Sequence, residues 1–134
     1  MERGQGVLPL GVSPGYAIDE LVFAGVGGRV LKPLRHTREV RSGERRPLWR
    51  GTELGGDAVA VTALAVSPRF GGDRTVLAAT NAGMYVSNDA GDTFTPWNER
   101  LSPRGIVALT MTPHRVVFAL GVDGTLWRRA LLEP

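Results

Sequence analysis

A hydroxyl residue followed by proline marks three copies of one pattern in this chain. The copies are Ser13-Pro14, Ser67-Pro68 and Thr112-Pro113, and they lie 54 and 45 residues apart. After each copy come an apolar run, a glycine turn and a second, shorter apolar run. The first runs are 21–24, 75–78 and 116–119, and the second runs are 30–31, 84–86 and 126–127. A repeat of this length predicts one supersecondary unit used three times.

The positions of proline and glycine in the repeat unit are typical of an antiparallel sheet. Proline has no N–H to give to a β-ladder, so the first strand of each repeat should end at the hydroxyl–proline pair. The turns 81–83 and 122–124 end in glycine, which supplies the positive φ of a tight hairpin. Segment 59–64 is short and rich in Val and Thr, so we predict a strand there and not a helix. The fold class predicted is therefore all-β.

The repeat length is that of a β-propeller blade, which has four strands in about 40–50 residues. We place blade-like repeats at about 6–54, 59–98 and 105–130 within a single domain, 1–134. They have room for four, four and three strands, or about 2.75 blades of antiparallel strands per chain. Closed propellers have about 4–8 blades, so the predicted ring is incomplete within one chain.

The first repeat has a basic insertion at 33–47, between its third and fourth strands. The stretch 29–50 has eight positive and two negative side chains, which leaves the rest of the chain negative overall. We expect an exposed, mobile loop followed by a fourth strand at Leu48-Trp49. Such a concentration of charge is typical of surfaces that bind nucleic acid or an acidic protein. The candidate anion- or partner-binding residues are Arg35, Arg38, Arg41, Arg45 and Arg46.

A second motif lies in the middle repeat, where residues 87–94 read Ser-Asn-Asp-Ala-Gly-Asp-Thr-Phe. Asp89 can fold its carboxylate back onto backbone N–H groups of the turn. Gly91 permits a left-handed backbone angle. Hydroxyl groups on both sides can bond across the mouth of the hairpin, and an aromatic ring can anchor it on the core. The residues predicted to fix this turn are Ser87, Asp89, Gly91, Thr93 and Phe94.

The pattern Ser-x-Asp-x-Gly-x-Thr-aromatic resembles the Asp box, or bacterial neuraminidase repeat, of sialidases, sortilin-like receptors and photosystem assembly propellers. The resemblance implies a propeller blade whose Asp box is a structural turn remote from any catalytic face. Only the middle repeat is complete, because the first has the basic insertion in place of the motif and the third stops after 126–129. An incomplete ring implies a homo-oligomer, a protein partner that completes the propeller, or a fragment of a longer chain.

Catalytic and metal chemistry find little support in the sequence. A sialidase-like reaction needs a tyrosine nucleophile with an acid/base partner, and Tyr85 lies in a predicted strand where packing is its ordinary role. His36 and His114 are isolated, and the chain has no cysteine. We therefore predict that the chain is not an enzyme and has no cofactor and no metal site. Trp49, Trp97 and Trp127 are predicted to pack between blades.

The function predicted is a non-catalytic protein-interaction or scaffolding module that acts as an oligomer or as a subunit of a larger complex. One alternative is nucleic-acid or polyanion binding through the arginine-rich segment 35–46. Another is a fragment of a glycan-binding or glycan-hydrolysing propeller. The first eleven residues do not resemble a signal peptide, and no apolar run reaches the roughly 20 residues of a membrane helix. We expect a cytoplasmic protein without membrane insertion.

Overall fold

The computed structural model describes residues 9–19, 21–39, 45–54, 59–81, 83–97 and 105–131. Within these ranges the chain forms short strands and two helices of four residues each. The first part of the chain has β1 (Leu10–Val12), α1 (Tyr16–Asp19), β2 (Val22–Val26), β3 (Arg29–Glu39) and β4 (Arg45–Glu53). The middle part has β5 (Val61–Val66), α2 (Phe70–Asp73), β6 (Val76–Thr80), β7 (Gly83–Ser87) and β8 (Thr95–Pro96). The last part has β9 (Ile106–Met111), β10 (Val116–Gly121) and β11 (Leu126–Ala130).

The strands form three antiparallel sheets, each with its strands side by side in chain order. Sheet 1 contains β1–β4, sheet 2 contains β5–β8 and sheet 3 contains β9–β11. The all-β fold class is confirmed, as is the division of the described strands into groups of four, four and three. The helices α1 and α2 were not predicted; each lies in the connection after a Ser-Pro pair. Neither of these two described helices is long and apolar enough to cross a membrane.

The predicted strand ends are confirmed in all three sheets. The first strands stop at Val12, Val66 and Met111, each directly before the hydroxyl–proline pair. The two predicted turn glycines have the expected positive φ: Gly83 has φ 141° at the start of β7, and Gly124 has φ 89° between β10 and β11. The three hydroxyl–proline pairs therefore mark the ends of the first strands, and the glycines mark the hairpin turns.

The basic segment is a correction to the sequence analysis. Residues 33–39 and 45–47 were expected in a mobile loop, but they continue β3 and β4, which pair with each other along their length. Thr37 lies opposite Pro47, and Arg38 lies opposite Arg46, after a register shift beyond Pro33. Antiparallel backbone pairing needs no apolar face, so two charged strands can extend a hairpin beyond the sheet that starts it. The loop expected between the third and fourth strands is therefore a long hairpin.

The three sheets pack on each other in chain order, with sheet 2 in the middle. The core between sheets 1 and 2 includes Phe23, Val30, Val61, Val76 and Ala78. Within it, the rings of Phe23 and Phe70 meet edge to face, with centroids 5.9 Å apart. Two further clusters lie between sheets 2 and 3; their buried members are Ala63, Ala65, Leu77, Ala79, Met84, Val86, Ile106, Met111, Val117, Ala119 and Leu131. The first strand of each sheet lies beside that of the next, β1 against β5 and β5 against β9.

The tryptophans divide into two groups. Trp97 and Trp127 pack against the core between sheets 2 and 3, which confirms the predicted packing role for these two. Trp49 lies in β4, as expected, but its side chain is about half exposed. It shares a sheet face with its register partner Pro33. For Trp49 packing between blades stays a prediction, because no described sheet of this single chain lies against the face that bears it.

Candidate functional site

Residues 87–94, whose pattern resembles an Asp box and which we call the Asp-box turn, connect β7 to β8. The Ser87 Oγ donates to Asp89 Oδ1 at 2.7 Å and accepts from the Gly91 N–H at 2.8 Å. Asp89 Oδ1 also accepts from the Thr93 N–H at 2.9 Å, and its other oxygen accepts from the Thr93 hydroxyl. As predicted, the Asp89 carboxylate accepts a backbone N–H of the turn, and the hydroxyls of Ser87 and Thr93 both take part in the bonding. The two hydroxyls each bond to the carboxylate, however, and not directly across the hairpin to each other. Gly91 has φ 86°, as expected, and Ala90 also adopts a positive φ of 64°.

The hydrogen bonds of the turn set the charge state of Asp89. Desolvation by burial is the largest single influence and opposes ionisation. The bonds from the side chain and backbone of Thr93, from Ser87 and from the Asp92 backbone together outweigh it, and they hold the pKa of Asp89 below its usual range. A carboxylate that accepts several hydrogen bonds is stabilised in its charged form. The ionised carboxylate is therefore part of the turn's structure.

The outer surface of this turn docks on sheet 1. A Cβ at Gly91 would lie 2.9 Å from Cε1 of Phe23, so only glycine lets the backbone approach this ring so closely. The Lys32 ammonium donates to the Ala90 carbonyl at 2.9 Å and lies 2.6 Å from Asp92 Oδ1. The Thr52 hydroxyl donates to the Gly91 carbonyl at 3.0 Å. The Asp-box turn therefore fastens sheet 2 to sheet 1, and it is a structural joint.

A second polar joint, which the sequence analysis missed, fastens sheet 2 to sheet 3. Arg115 Nη1 lies 3.0 Å from Asp73 Oδ2 and also donates to the Thr75 hydroxyl at 3.3 Å. Asp73 further accepts from the Ser67 hydroxyl at 2.8 Å and from the Thr75 N–H at 3.1 Å. Arg115 donates through Nε to the Leu131 carbonyl. Asp73 is the last residue of α2, and it combines a local bond from the Thr75 N–H with an ion pair to Arg115, which lies beside another sheet.

The candidate arginines of the basic segment lie on the β3–β4 hairpin. Arg35 and Arg38 are on β3, whereas Arg45 and Arg46 are on β4. Arg38 and Arg46 are register partners, so the backbone places these two positions side by side. Arg41 lies outside the described residues. The hairpin thus concentrates basic positions in one element.

The outer face of sheet 1, which points away from sheet 2, is largely apolar. Its side chains follow from the strand register, because directly paired residues share a face. Val12 pairs with Val22 and Leu10 with Ala24, while Gly11 and Phe23 face sheet 2. Val12 remains 54% exposed. The members of this face are Leu10, Val12, Val22, Ala24, Val26, Arg29, Leu31, Pro33, Trp49, Gly51 and Glu53.

The outer face of sheet 3, which points away from sheet 2, has a similar character. Val117 and Ala119 face sheet 2, so the alternate residues of β10 point outwards. Leu120 pairs with Leu126, and Leu126 is 62% exposed. The members of this face are Ala108, Thr110, Val116, Phe118, Leu120, Leu126, Arg128 and Ala130. Both ends of the three-sheet stack therefore present apolar side chains that an isolated soluble domain would normally bury.

The described residues offer little for catalysis. A cavity of about 360 Å³ lies along the first strands of the three sheets, lined by Pro9, Leu10, Thr62, Ala63, Leu64, Val107, Ala108 and Leu109. Its only polar side chain is a threonine. Within the described ranges, no three His, Asp or Glu side chains are grouped as metal ligands would be. His114 lies exposed in the turn after β9, and Tyr85 packs partly against the core between sheets 1 and 2.

No protein-family model matches the chain. Among curated proteins, too, no significant match is found. The resemblance to Asp-box propellers therefore depends on the residues of the motif, on the repeat and on the sheet order described above.

Proposed function

We propose that the chain is a non-catalytic protein-interaction or scaffolding module of β-propeller type, which acts as an oligomer or as a subunit of a larger complex. The observation that carries this proposal is the pair of apolar outer faces at the two ends of the stack. Each face belongs to a sheet whose opposite side is already buried on sheet 2. A neighbouring sheet on each side would cover them, as sheet 2 covers the inner sides.

Three features of the fold support the propeller type. Each sheet is a meander of antiparallel strands in chain order. The first strands of the three sheets lie beside one another, as the innermost strands of neighbouring blades would. The motif that resembles an Asp box lies in the turn between the third and fourth strands of its sheet, and two side chains of the preceding sheet, Lys32 and Thr52, donate hydrogen bonds to this turn. Such repeated sheets bury a continuous core only by stacking on their neighbours.

The proposal is tested by the solution mass of the purified chain over a range of concentrations, together with the binding of a dye that fluoresces on apolar surfaces. A defined oligomer with little dye binding supports the proposal, because the outer faces are then covered. A monomer that binds dye also supports it if replacing Val12 and Leu126 by Asp abolishes the fluorescence. A stable monomer that binds no dye at any concentration would refute it, since its outer faces would need no partner.

A second candidate function is the binding of nucleic acid or another polyanion by the β3–β4 hairpin. The specific observation in its favour is that the positions of Arg38 and Arg46 are directly opposed. Like charges opposite each other destabilise a strand pair, and a bound polyanion would neutralise them. Phosphate contacts of this kind give affinity that falls steeply with salt.

Matched double variants test this second candidate. Arg38→Ala with Arg46→Ala removes two charges from the hairpin, and Arg69→Ala with Arg74→Ala removes two exposed charges that lie off the hairpin and off both outer faces. Binding to heparin and to single- and double-stranded DNA at low salt should fall at least about tenfold for the hairpin variant only, since each lost phosphate contact removes an electrostatic increment. Equal loss in both variants would mean that only net charge matters, and no loss in either would exclude the hairpin as the binding element.

A further inference from the structure

We propose that two copies of this chain close head to tail into a ring of six sheets. In this ring the outer face of sheet 3 of each copy packs on the outer face of sheet 1 of the other copy. The inference rests on the proposed function, which leaves the occupant of the two faces open, and it identifies that occupant as a second copy of the chain.

The second strands of the three sheets show that one packing arrangement is used repeatedly. Val76 and Ala78 of sheet 2 face sheet 1. The repeat-equivalent residues of sheet 3, Val117 and Ala119, face sheet 2. The same two residue types stand at the equivalent positions of sheet 1, which are Val22 and Ala24, and here they lie on the outer face. Sheet 1 therefore has the surface that sheets 2 and 3 each use to contact a preceding sheet.

Sheet 3 has the complementary surface. Leu77 and Ala79 of sheet 2 face sheet 3, and Met84 beside them is fully buried. Their repeat equivalents in sheet 3 are Phe118, Leu120 and Leu126, and these three side chains lie on its outer face. Position by position, the outer face of sheet 3 corresponds to the surface that sheet 2 uses to contact a following sheet.

One internal contact predicts an atom-level contact in the closed ring. A Cβ built on Gly11 would lie 3.0 Å from Val66 Cγ2, so the first strands of sheets 1 and 2 touch at this point. The equivalent pair in sheets 2 and 3 is Ala65 and Met111, which share one core cluster. At the junction between sheet 3 of one copy and sheet 1 of the other, the repeat-equivalent pair is Thr110 and Val12 of the other copy. Both side chains are exposed in the single chain.

The number of copies follows from the number of sheets. The described residues of each chain form three sheets, and closed propellers have about 4–8. Two copies, with six sheets, are the only whole-number solution in that range. Two copies also bury both kinds of outer face completely, because a ring of two has two identical closing junctions.

The decisive experiment uses one disrupted face at a time. Leu126→Asp disables the outer face of sheet 3, and Val12→Asp disables that of sheet 1. Val122→Asp and Ile18→Asp are matched controls, because these apolar side chains are 75% and 90% exposed and lie in a turn and in α1, off both faces. Solution mass is measured by size exclusion with light scattering, and circular dichroism verifies that each variant remains a β-protein.

We expect the wild type and both controls to have twice the 14.4 kDa mass of the chain. Each face variant alone should be a monomer, because a buried carboxylate without a partner spoils both junctions and weakens association at least about 100-fold. An equimolar mixture of the two face variants should regain dimer mass, since one of its two junctions has no substituted residue. A face variant that remains a dimer by itself would overturn the head-to-tail arrangement.

A cross-linking experiment tests the head-to-tail arrangement independently. Because the chain has no cysteine, any disulfide that forms must join the introduced residues. Thr110→Cys and Val12→Cys chains, mixed and mildly oxidised, should form a disulfide between copies at the predicted contact. The control mixture of Val122→Cys and Ile18→Cys chains should not. A trimer or larger closed species, or failure to cross-link in a dimer, would overturn the inference. A monomeric wild type that binds the apolar dye would overturn the inference but leave the proposed function standing.

Discussion

Replacing Arg115 by Met tests the joint between sheets 2 and 3, because methionine keeps an unbranched apolar side chain but removes the guanidinium. The change leaves the partly buried Asp73 carboxylate without its cation. The side chains of Arg115 and Asp73 are only 12% and 22% exposed, so water replaces the lost partner poorly. Breaking a buried ion pair by removing one member costs about 3–5 kcal/mol.

The expected loss is smaller than that range, since Asp73 keeps two other hydrogen bonds. The hydroxyl of Ser67 and the N–H of Thr75 still donate to it. Arg115 also gives up its bond to the Leu131 carbonyl. We therefore expect the free energy of unfolding to fall by about 2–3 kcal/mol, and the melting temperature to fall by about 6–15 °C for a chain of this size.

The assay is urea and thermal unfolding followed by circular dichroism, at one fixed chain concentration because association stabilises the folded state. Arg69→Met is the matched control, since the Arg69 side chain is exposed and its loss should change stability by less than about 0.5 kcal/mol. A double-mutant cycle with Asp73→Asn should show a coupling energy of about 1–2 kcal/mol. If Arg115→Met is no less stable than Arg69→Met, the pair is screened by water and the two sheets are held by apolar contacts alone.

Two further predictions concern the Asp-box turn. Asp89→Asn should lower the free energy of unfolding by about 1–2 kcal/mol near neutral pH. Because the pKa of Asp89 is lowered in the folded state, this stabilisation is fully present above the unfolded pKa of about 3.9 and is lost as the pH falls below that value. A stability difference between wild type and variant that persists unchanged at low pH would contradict the role assigned to Asp89. Gly91→Ala should destabilise the fold by about 2–4 kcal/mol, because it adds a contact of 2.9 Å with Phe23 to the strain of a positive φ. At Gly124 an added Cβ would have the same positive-φ strain but no atom within 4 Å, so Gly124→Ala should destabilise the fold by only about 1–2 kcal/mol. Equal losses of unfolding free energy for the two variants in urea titrations would show that the contact with Phe23 contributes nothing.

The parts of the fold that the sequence predicted are those determined by short-range chemistry. Proline ends a strand and glycine turns it, so the ends of β1, β5 and β9 follow from three hydroxyl–proline pairs. The side-chain hydrogen bonds of Ser87 and Asp89 are equally local, because they lie within residues 87–93. Such features need no knowledge of what the turn or strand packs against.

The parts that escaped prediction depend on partners distant in the sequence or on backbone pairing without an apolar signature. Arg115 and Asp73 are 42 residues apart and belong to no motif. One signal for the joint was present, since a Ser-Pro pair is followed by Asp six residues after the serine in two repeats, at Asp19 and Asp73. Segments 35–39 and 45–46, which extend β3 and β4, consist largely of charged residues, so their hydrophobic pattern does not resemble that of a strand.

In the proposed ring, the junctions between the two copies differ from the junctions between sheets of one chain in their charged contacts, and this difference can be tested with salt. Inside the chain, Lys32 and Arg115 fasten neighbouring sheets with charged hydrogen bonds. The third repeat has no residue equivalent to Asp73, because the connection between β9 and β10 is only the segment 112–115. The closing junction would therefore depend chiefly on apolar contact, which salts such as sulfate strengthen and screening does not weaken.

The dimer should accordingly hold, or tighten, as sulfate is raised from about 0.05 M to about 0.5 M, where the Debye length falls from about 8 Å to less than about 3 Å. The measurement is the dissociation constant from the concentration dependence of mass in analytical ultracentrifugation. Dissociation by salt would contradict the apolar junction and would point to the basic hairpin, since association through Arg38 and Arg46 is the kind that ions screen. A single salt titration therefore separates the two surfaces, because the apolar faces and the hairpin predict opposite signs.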